Sequence, residues 1–586
     1  ALGCLAAWVA LRAASPPVPH RRLGLRELLA SESGRLRAVA RGTSLAALAI
    51  FLLLAFSEGP PASPEGGVLG SGLEHDLQLG LLGFAAVAVA AAWWRDGFGG
   101  LLLVAGFGLG SLAALEYTPL FAVLACLVFA VPGVLFLLAW ERVRGVRELG
   151  FVAVAVTGVF ALGAVVALEL HAQAYGPATP QSSLPVPETW RVKWAWAGGV
   201  TGEGVTVKAR LNDDARVRLL VGPRRDLRGA AASAAKQADD ARNERIVAFR
   251  MEGLEPGRRY HYGLEVDGRV DPYRRGSFRT FPAGRASFEI AFAGCARVGS
   301  DAAAFEAIRR ERPLLFLSVG DFFYANIEEN APGLFLDQYD RALGSPAQGA
   351  LYRSTAFAYV WDDHDFGGDG SDASAESAPA ARSTYRLAVP HYALPGGPGG
   401  GIQQAFTIGR VRFVVMDARS RRTGESMLGA EQLRWVKRQL LAARDRYALT
   451  VLVSSVPWIE RPEAGVDGWG AYPAERAELS RFIARHRIRR LVMLSGDAHM
   501  LAIDDGSHSD YSGSGRAGFP VMHAAALDRP GSVKGGPYSE GAFPGAGQYG
   551  TMRVEDEGDR VRVTLVGHDY RGREVVRYSF GQRVPR

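Results

Sequence analysis

Six short apolar stretches in this sequence each end in side chains that can bind metal ions or phosphate. They are Phe288–Ala293, ending in Cys295 and Arg297; Leu314–Val319, ending in Asp321, Tyr324 and Asn326; Ala356–Trp361, ending in Asp362, Asp363, His364 and Asp365; Val411–Met416, ending in Asp417, Arg419 and Arg422; Thr450–Val453, ending in Ser454 and Ser455; and Leu491–Leu494, ending in Asp497 and His499. Carboxylates, imidazole and a thiolate can jointly hold two cations, which bind a phosphoryl oxygen and generate hydroxide from water. The residue types therefore indicate phosphoryl chemistry.

The remaining polar residues of this set suit the other steps of such a reaction. Arg419 and Arg422 could clamp phosphate oxygens in a bidentate way. His364 lies beside the carboxylates and could protonate a leaving alkoxide. Each residue alone has an ordinary explanation, since a lone buried cysteine such as Cys295 is usually a core residue and an aspartate after glycine, such as Asp321, often only caps a turn. The ordered set of six is the signal.

These side chains need a scaffold that brings the strand ends together. From residue 287 onward, short apolar strands alternate with helical segments, which predicts an α/β layered fold. In open α/β sheets, ligands bind beyond the carboxyl ends of the strands. The sequence therefore predicts one site at that edge of the sheet.

The ordered set and its surroundings resemble the PhoD-like alkaline phosphatase/phosphodiesterase family, a branch of the metallophosphoesterases. The resemblance covers about residues 188–580. The matching segments are FAGCARVG (292–299), GDFFYAN (320–326), VWDDHDFG (360–367), MDARSRR (416–422), SSVPW (454–458), DGWGAYPAER (467–476) and LSGDAHM (494–500).

The resemblance implies specific roles for these residues. It implies an Fe³⁺ ion held by Cys295, Asp321, Tyr324 and His499, and a Ca²⁺ ion held by Asp363 and Asp497 with Asp321 bridging. It also implies that His364 and Arg419 lie near the substrate phosphate. Ligand types agree independently, because a thiolate and a phenolate suit trivalent iron and oxygen ligands suit calcium. The sequence departs from the family pattern at Asn326, often Asp, and at Asp369, often Asn, which concerns the calcium ligands.

The segment before the α/β half predicts a small β-sandwich. Residues 172–187 are rich in Pro and Ser without charge and read as a linker. Alternating apolar stretches between residues 192 and 281 then predict the sandwich, and LEPGRRY (254–260) resembles the tyrosine corner of fibronectin type III domains. We expect this module, residues 188–284, to be a spacer or a wall of the site, followed by the phosphatase domain at 285–586.

Residues 1–171 predict a membrane region of five to six helices. Its apolar runs are 1–14, 43–57, 77–94, 100–115, 118–140 and 150–171, of which 118–140 and 150–171 reach the roughly 20 residues needed to span a bilayer. Arginine-rich loops at 15–42 and 141–149 alternate with loops lacking Lys and Arg. By the positive-inside rule the basic loops face the cytoplasm, and everything after His171 lies outside the cell.

Together these patterns predict a multi-pass protein of the cell membrane whose catalytic domain is extracytoplasmic. It would hydrolyse phosphate esters of small molecules or of a cell-envelope polymer or lipid by means of a metal-bound hydroxide. Two alternatives stay open: a catalytically silent envelope scaffold on the same fold, and a transporter with an accessory exterior domain. The net charge of +7 comes with no basic groove for nucleic acid, and we expect a monomer.

Overall fold

The computed structural model describes residues 31–57, 87–113, 131–144, 191–529 and 531–584. The chain divides into two compact units, Ala1–Gln173 and Ala174–Arg586.

The described part of the first unit is helical. Its helices are α1 (Glu32–Ser57), α2 (Asp96–Ala113) and α3 (Val131–Arg144), with a further helical stretch at 87–94. Among these described residues, no helix combines the length and the apolar character needed to cross a membrane, which departs from the predicted membrane-spanning region. The predicted runs 1–14 and 150–171 lie outside the described residues, and 77–94, 100–115 and 118–140 are described only in part.

The first strands of the second unit confirm the alternating pattern read from the sequence. They are β1 (Val192–Gly198), β2 (Val205–Leu211), β3 (Ala215–Gly222), β4 (Ala231–Ala232), β5 (Lys236–Ala238), β6 (Ile246–Met251), β7 (Arg259–Val266), β8 (Arg269–Val270) and β9 (Gly276–Arg279), with helix α4 at Asp240–Asn243.

The α/β half follows. Its strands are β10 (Phe288–Ala293), β11 (Leu315–Val319), β12 (Ala356–Val360), β13 (Gln404–Ile408), β14 (Val411–Val415), β15 (Leu449–Ser454), β16 (Leu491–Ser495), β17 (Met500–Asp504), β18 (Val521–Ala524), β19 (Ala542–Pro544), β20 (Tyr549–Asp556), β21 (Arg560–His568) and β22 (Glu574–Arg583). Its helices are α5 (Ala303–Glu311), α6 (Pro332–Gly344), α7 (Gln348–Ser354), α8 (Ala378–Ala388), α9 (Gly429–Arg444) and α10 (Pro473–Arg485).

Two large mixed sheets carry the α/β half. The first has nine strands in the order β22-β21-β20-β10-β11-β12-β1-β2-β6, and the second has seven in the order β13-β14-β15-β16-β18-β17-β19. Strands β10, β11 and β12 run parallel in the first sheet, and β14, β15 and β16 run parallel in the second. The sheets pack together: a Cβ on Gly550 of β20 would lie 2.9 Å from the Cβ of Ala524 on β18.

The predicted fibronectin type III-like module is not confirmed. Strands β1, β2 and β6 belong to the first large sheet, because β1 pairs in parallel with β12. The remaining strands of this segment form a separate small sheet built on β3 and β7. The local tyrosine feature is present, since the backbone N–H of Glu255 donates to the hydroxyl of Tyr260 at 3.0 Å. The segment is thus continuous with the sheet that carries the site.

Candidate metal centre

Three of the strand ends share one local geometry that positions a metal-binding side chain. After β10, β11 and β16, a glycine is followed by Cys295, Asp321 and Asp497, whose φ angles are 57°, 49° and 68°. Non-glycine residues rarely adopt this left-handed conformation, and it concentrates at functional sites. The preceding glycines are required by close packing: a Cβ on Gly496 would lie 2.3 Å from the carbonyl oxygen of Val319. The tight turn lets each side chain point beyond the sheet edge.

Ends of the two sheets meet at this edge. The carboxylate of Asp362, after β12, accepts hydrogen bonds from Ser455 Oγ at 2.8 Å and from Arg419 Nε at 2.6 Å, and both donors follow strands of the second sheet. The predicted convergence of the strand ends is therefore confirmed.

A first group of potential ligands lies around Asp321. Oxygen and nitrogen atoms of Asp321, Asp363 and His364 lie within 4.8 Å of one another. Cys295 joins this group, because its Sγ lies 3.4 Å from Asp321 Oδ2. Cys295 and Asp321 are both fully buried, and burial raises the pKa of each well above its ordinary value.

Tyr324 and His499 form the adjoining pair. The Tyr324 hydroxyl lies 2.9 Å from His499 Nε2, and the tyrosine ring stacks on the imidazole of His364 with centroids 4.1 Å apart. Burial, followed by the charges of Asp321 and Cys295, raises the pKa of Tyr324. The four residues predicted to hold iron thus lie next to one another, in two directly contacting pairs.

A second group contains two carboxylates to which the sequence analysis assigned no role. Carboxylate oxygens of Asp362, Asp467 and Asp497 lie within 4.8 Å of one another. Asp363, which we predicted beside Asp497, belongs by this distance to the first group. Asp362 could have been found in the DDHD segment, and Asp467 opens the matching segment DGWGAYPAER.

Arg419 lies behind the cavity and does not line it, which differs from the predicted phosphate clamp. Its side chain is fully buried. Its Nη1 donates to Asp467 Oδ1 at 2.8 Å and its Nη2 to the other oxygen of the same carboxylate, while Nε binds Asp362. The guanidinium lowers the pKa of Asp363 against the opposing effect of burial. All three guanidinium nitrogens of Arg419 are therefore engaged by the carboxylates of Asp362 and Asp467.

The donors fit bound cations. Four buried carboxylate oxygens lack a hydrogen-bond partner among the described residues, namely Asp321 Oδ1, Asp362 Oδ2, Asp363 Oδ1 and Asp497 Oδ2. An ionised carboxylate in such surroundings is costly unless a cation or donors compensate it. Burial accordingly raises the pKa of Asp497 to about 6. Unpaired carboxylate oxygens in both groups are therefore suited to bind cations.

His364 is held in one orientation. Its Nδ1 lies 2.5 Å from Asn326 Oδ1, so the ring N–H donates to the amide oxygen and Nε2 is left for the cavity side. Nε2 lies 3.9 Å from Asp369 Oδ1. Burial lowers the pKa of His364, opposed by the charges of Asp363 and Asp369. Asn326 and Asp369, the two departures from the family pattern, are therefore both polar neighbours of this imidazole.

A cavity of about 270 Å³ opens onto both groups. It is lined by Tyr324, Asp363, His364, Asp369, Gly370, Arg422, Gly465, Asp467, Asp497, His499 and Lys534. Of the two predicted phosphate-binding arginines, only Arg422 reaches this wall, and its Nη2 lies 2.9 Å from Asp467 Oδ1. Lys534 was missed by the sequence analysis, because a single lysine in a glycine-rich segment carries no pattern.

Comparison with known proteins agrees with this geometry. Residues 290–523 match the model of the PhoD-like phosphatase family. Alkaline phosphatase D of Bacillus subtilis (strain 168) is 23% identical over 359 residues, covering 52% of this chain and 59% of that protein. The chain therefore spans less than two thirds of the length of this curated relative.

A solved structure of PhoD shows the same fold. It superposes with a TM-score of 0.57 at 17% identity, over 68% of this chain and 92% of that one. At this identity the likeness concerns the fold alone. The family resemblance carried by the strand-end motifs is confirmed, because residues 290–523 match the model of the PhoD-like phosphatase family.

Proposed function

We propose that this protein is a metal-dependent hydrolase of phosphate esters. One observation carries the proposal: Asp363 and Asp497 each have a buried carboxylate oxygen without a hydrogen-bond partner among the described residues, and both line a cavity that also contains basic side chains. Cations at the carboxylates together with Arg422 would hold a phosphoryl group from several sides. The cavity of about 270 Å³ accommodates a phosphoryl group and part of its ester substituent.

We propose Fe³⁺ and Ca²⁺ as the cations. Cys295, Asp321, Tyr324 and His499 would hold the iron, because thiolate and phenolate ligands favour a trivalent ion. Asp363 and Asp497, with oxygen ligands only, would hold calcium. When bound, such cations lower the pKa of a water ligand and neutralise charge that develops on the phosphoryl oxygens.

The protein's own residues supply the remaining steps. The Nδ1–H of His364 donates a hydrogen bond to Asn326 Oδ1. In the imidazolium form the ring also carries a proton on Nε2, which it would give to the leaving alkoxide oxygen. Arg422 lies on the cavity wall and binds phosphoryl oxygens. Arg419 fixes Asp362 and Asp467 behind the site, and its charge lowers the pKa of Asp467 against the opposing effect of burial.

The test is a panel of phosphate mono- and diesters combined with metal analysis of the purified protein. We expect hydrolysis of an aryl phosphate that is lost with a strong chelator and is absent in Asp321→Asn. A protein that binds iron and calcium but cleaves no ester would support the alternative of a catalytically silent scaffold.

The iron assignment has its own test. A phenolate on ferric iron should colour the protein, so Cys295→Ala should shift or bleach the visible band and lower the iron content. Cys126→Ala, at a cysteine outside the described residues, is the matched control and should keep both. A band and iron content that survive Cys295→Ala would remove the thiol from the ligand set.

We also propose that the protein is anchored in the cell membrane as a monomer, with the catalytic unit outside the cell. The alternation of arginine-rich and base-free loops supports this topology.

A reporter active only outside the cytoplasm tests this topology. It should work when fused after residue 175 and fail when fused after Arg147. The reverse pattern would exclude the extracytoplasmic location.

A further inference from the structure

Lys534 reaches the second carboxylate group from a loop that is fixed at several points. Its Nζ lies 2.7 Å from Asp497 Oδ1. The loop is held by backbone hydrogen bonds of Ser532 to His499, of Gly536 to Ile459 and of Glu540 to Ile503, at 2.9, 2.8 and 3.0 Å. These hydrogen bonds fix the backbone on both sides of Lys534, so its position beside Asp497 is set by the loop.

Each acid of the second group has a basic partner, but the three partners differ in freedom. Arg419 pairs with Asp362 and Asp467, Arg422 pairs with Asp467, and Lys534 pairs with Asp497. The side chains of the two arginines are 0% and 8% exposed, whereas that of Lys534 is 41% exposed. Only the lysine can leave its acid for solvent without opening the core.

A cation and an ammonium group cannot share Asp497 without repulsion. One oxygen of Asp497 accepts from Lys534, and the other is buried without a partner among the described residues. Two positive charges a few ångströms apart repel strongly near a buried carboxylate such as that of Asp497. Occupation by one therefore disfavours occupation by the other.

We propose that Lys534 is a built-in competitor for the calcium ion at Asp497, so that this second cation binds only when the ammonium moves away. The proposal rests on the proposed function only in taking Asp497 as a cation ligand. Competition by Lys534 would lower the calcium affinity of the site at Asp497. The occupancy of this site would then depend on the surrounding calcium concentration. The first group, around Asp321, has no lysine partner among the described residues and is unaffected.

Calcium binding tests the proposal directly. The full-length protein, with iron left in place and calcium removed by a selective chelator, is titrated with calcium and binding is measured by equilibrium dialysis. Lys534→Met should bind calcium at least about tenfold more tightly than the wild type, and Lys534→Arg should stay near the wild type. Lys437→Met is the matched control, because it removes the same charge from an ion pair with Glu478 on two helices.

A second measurement needs no variant. Addition of calcium to the wild-type protein should increase the labelling of Lys534 by an amine-reactive reagent, while the labelling of Lys437 stays constant. Five lysines occur in the sequence, so peptide mass spectrometry resolves each of them.

Unchanged or weaker calcium binding in Lys534→Met, or labelling that calcium does not increase, would overturn the proposal. Neither readout uses ester hydrolysis. Failure of the competition is therefore distinguishable from failure of the proposed function, which the ester panel decides.

Discussion

At the scale of single residues, the polar groups of the centre divide into those that face the cavity and those that hold them in place. His364 faces the cavity, and it is fixed by the amide of Asn326 and by the ring of Tyr324. Arg419 has no exposed surface and acts through Asp362 and Asp467. Residue type alone does not separate the two kinds, since both arginines of the MDARSRR segment look equally suited to phosphate.

Replacement of His364 tests its role as the proton donor. We expect His364→Ala to lose about 10²–10⁴-fold in kcat on alkyl phosphates, because their leaving group needs a proton. The loss should be much smaller on an activated aryl ester. Equal losses on both esters, or loss of bound metal, would instead make His364 a ligand, which its distance to Asp321 and Asp363 allows.

A histidine away from the centre should make the fold sensitive to acid. Burial lowers the pKa of His391 from 6.5 to about 4. The carbonyl oxygen of Tyr392, 2.7 Å from Nδ1, has the opposite, smaller effect and raises the pKa. Between these pH values the unfolded chain binds a proton that the folded chain does not, so the free energy of unfolding falls as the pH falls. The loss should be about 1–3 kcal/mol.

Urea unfolding between pH 7 and pH 4 measures this effect. His391→Gln should flatten the pH dependence, whereas His486→Gln, at the end of helix α10, serves as the matched control. An equal slope in wild type and His391→Gln would show that this imidazole is not the group responsible.

At the scale of elements, the positions of the strands around the centre could be predicted closely from the sequence. The pairing of these strands with neighbours in the sheet could not. The apolar stretch Phe288–Ala293 is strand β10 without change, because a short buried run between turn residues has few other solutions. The pairing of β1 with β12 was missed, since sheet neighbours far apart in sequence leave no mark in periodicity. The local motif near Tyr260 therefore led to the prediction of a separate module. In the structure, strands β1, β2 and β6 of this segment belong to the first large sheet.

The glycine-ligand turns make a clear prediction at this scale. Gly320 has φ of 124°, and a Cβ there would lie 2.9 Å from the Cβ of Asp362. We expect Gly320→Ala to destabilise the protein by about 2 kcal/mol or more and to lower its metal content. Gly333→Ala is the control, because its Cβ would meet nothing within 4 Å in helix α6, and it should be neutral or stabilise by up to about 1 kcal/mol. If Gly320→Ala and Gly333→Ala change the stability and the metal content equally, the close packing at Gly320 is not the cause of the loss.

At the scale of the whole molecule, the second unit behaves as one body. Trp194 and Trp196 of β1 are fully buried, and their indole N–H groups donate to Asp340 Oδ1 and to the carbonyl oxygen of Ala388 at 2.7 and 2.9 Å. The core of the α/β half is therefore completed by residues before the predicted boundary at 284.

Fragments of the chain test this continuity. Residues 191–584 should unfold in one cooperative transition, and residues 285–584 alone should lack a cooperative transition in calorimetry and circular dichroism. Two separate transitions in the fragment 191–584, or a stably folded fragment 285–584, would show that the segment before residue 285 is an independent module.

The distribution of the ligands along the chain also constrains when the centre can be made. Cys295 contacts the backbone of Asp497 across 202 residues of sequence, and the two belong to different sheets. A ribosome delivers the amino-terminal part first, so an emerging chain that already contains Cys295 and Asp321 still lacks Asp497 and His499. Cation loading would then follow synthesis of nearly the whole second unit, and the metal supply of the compartment in which folding finishes would decide which ions the protein receives.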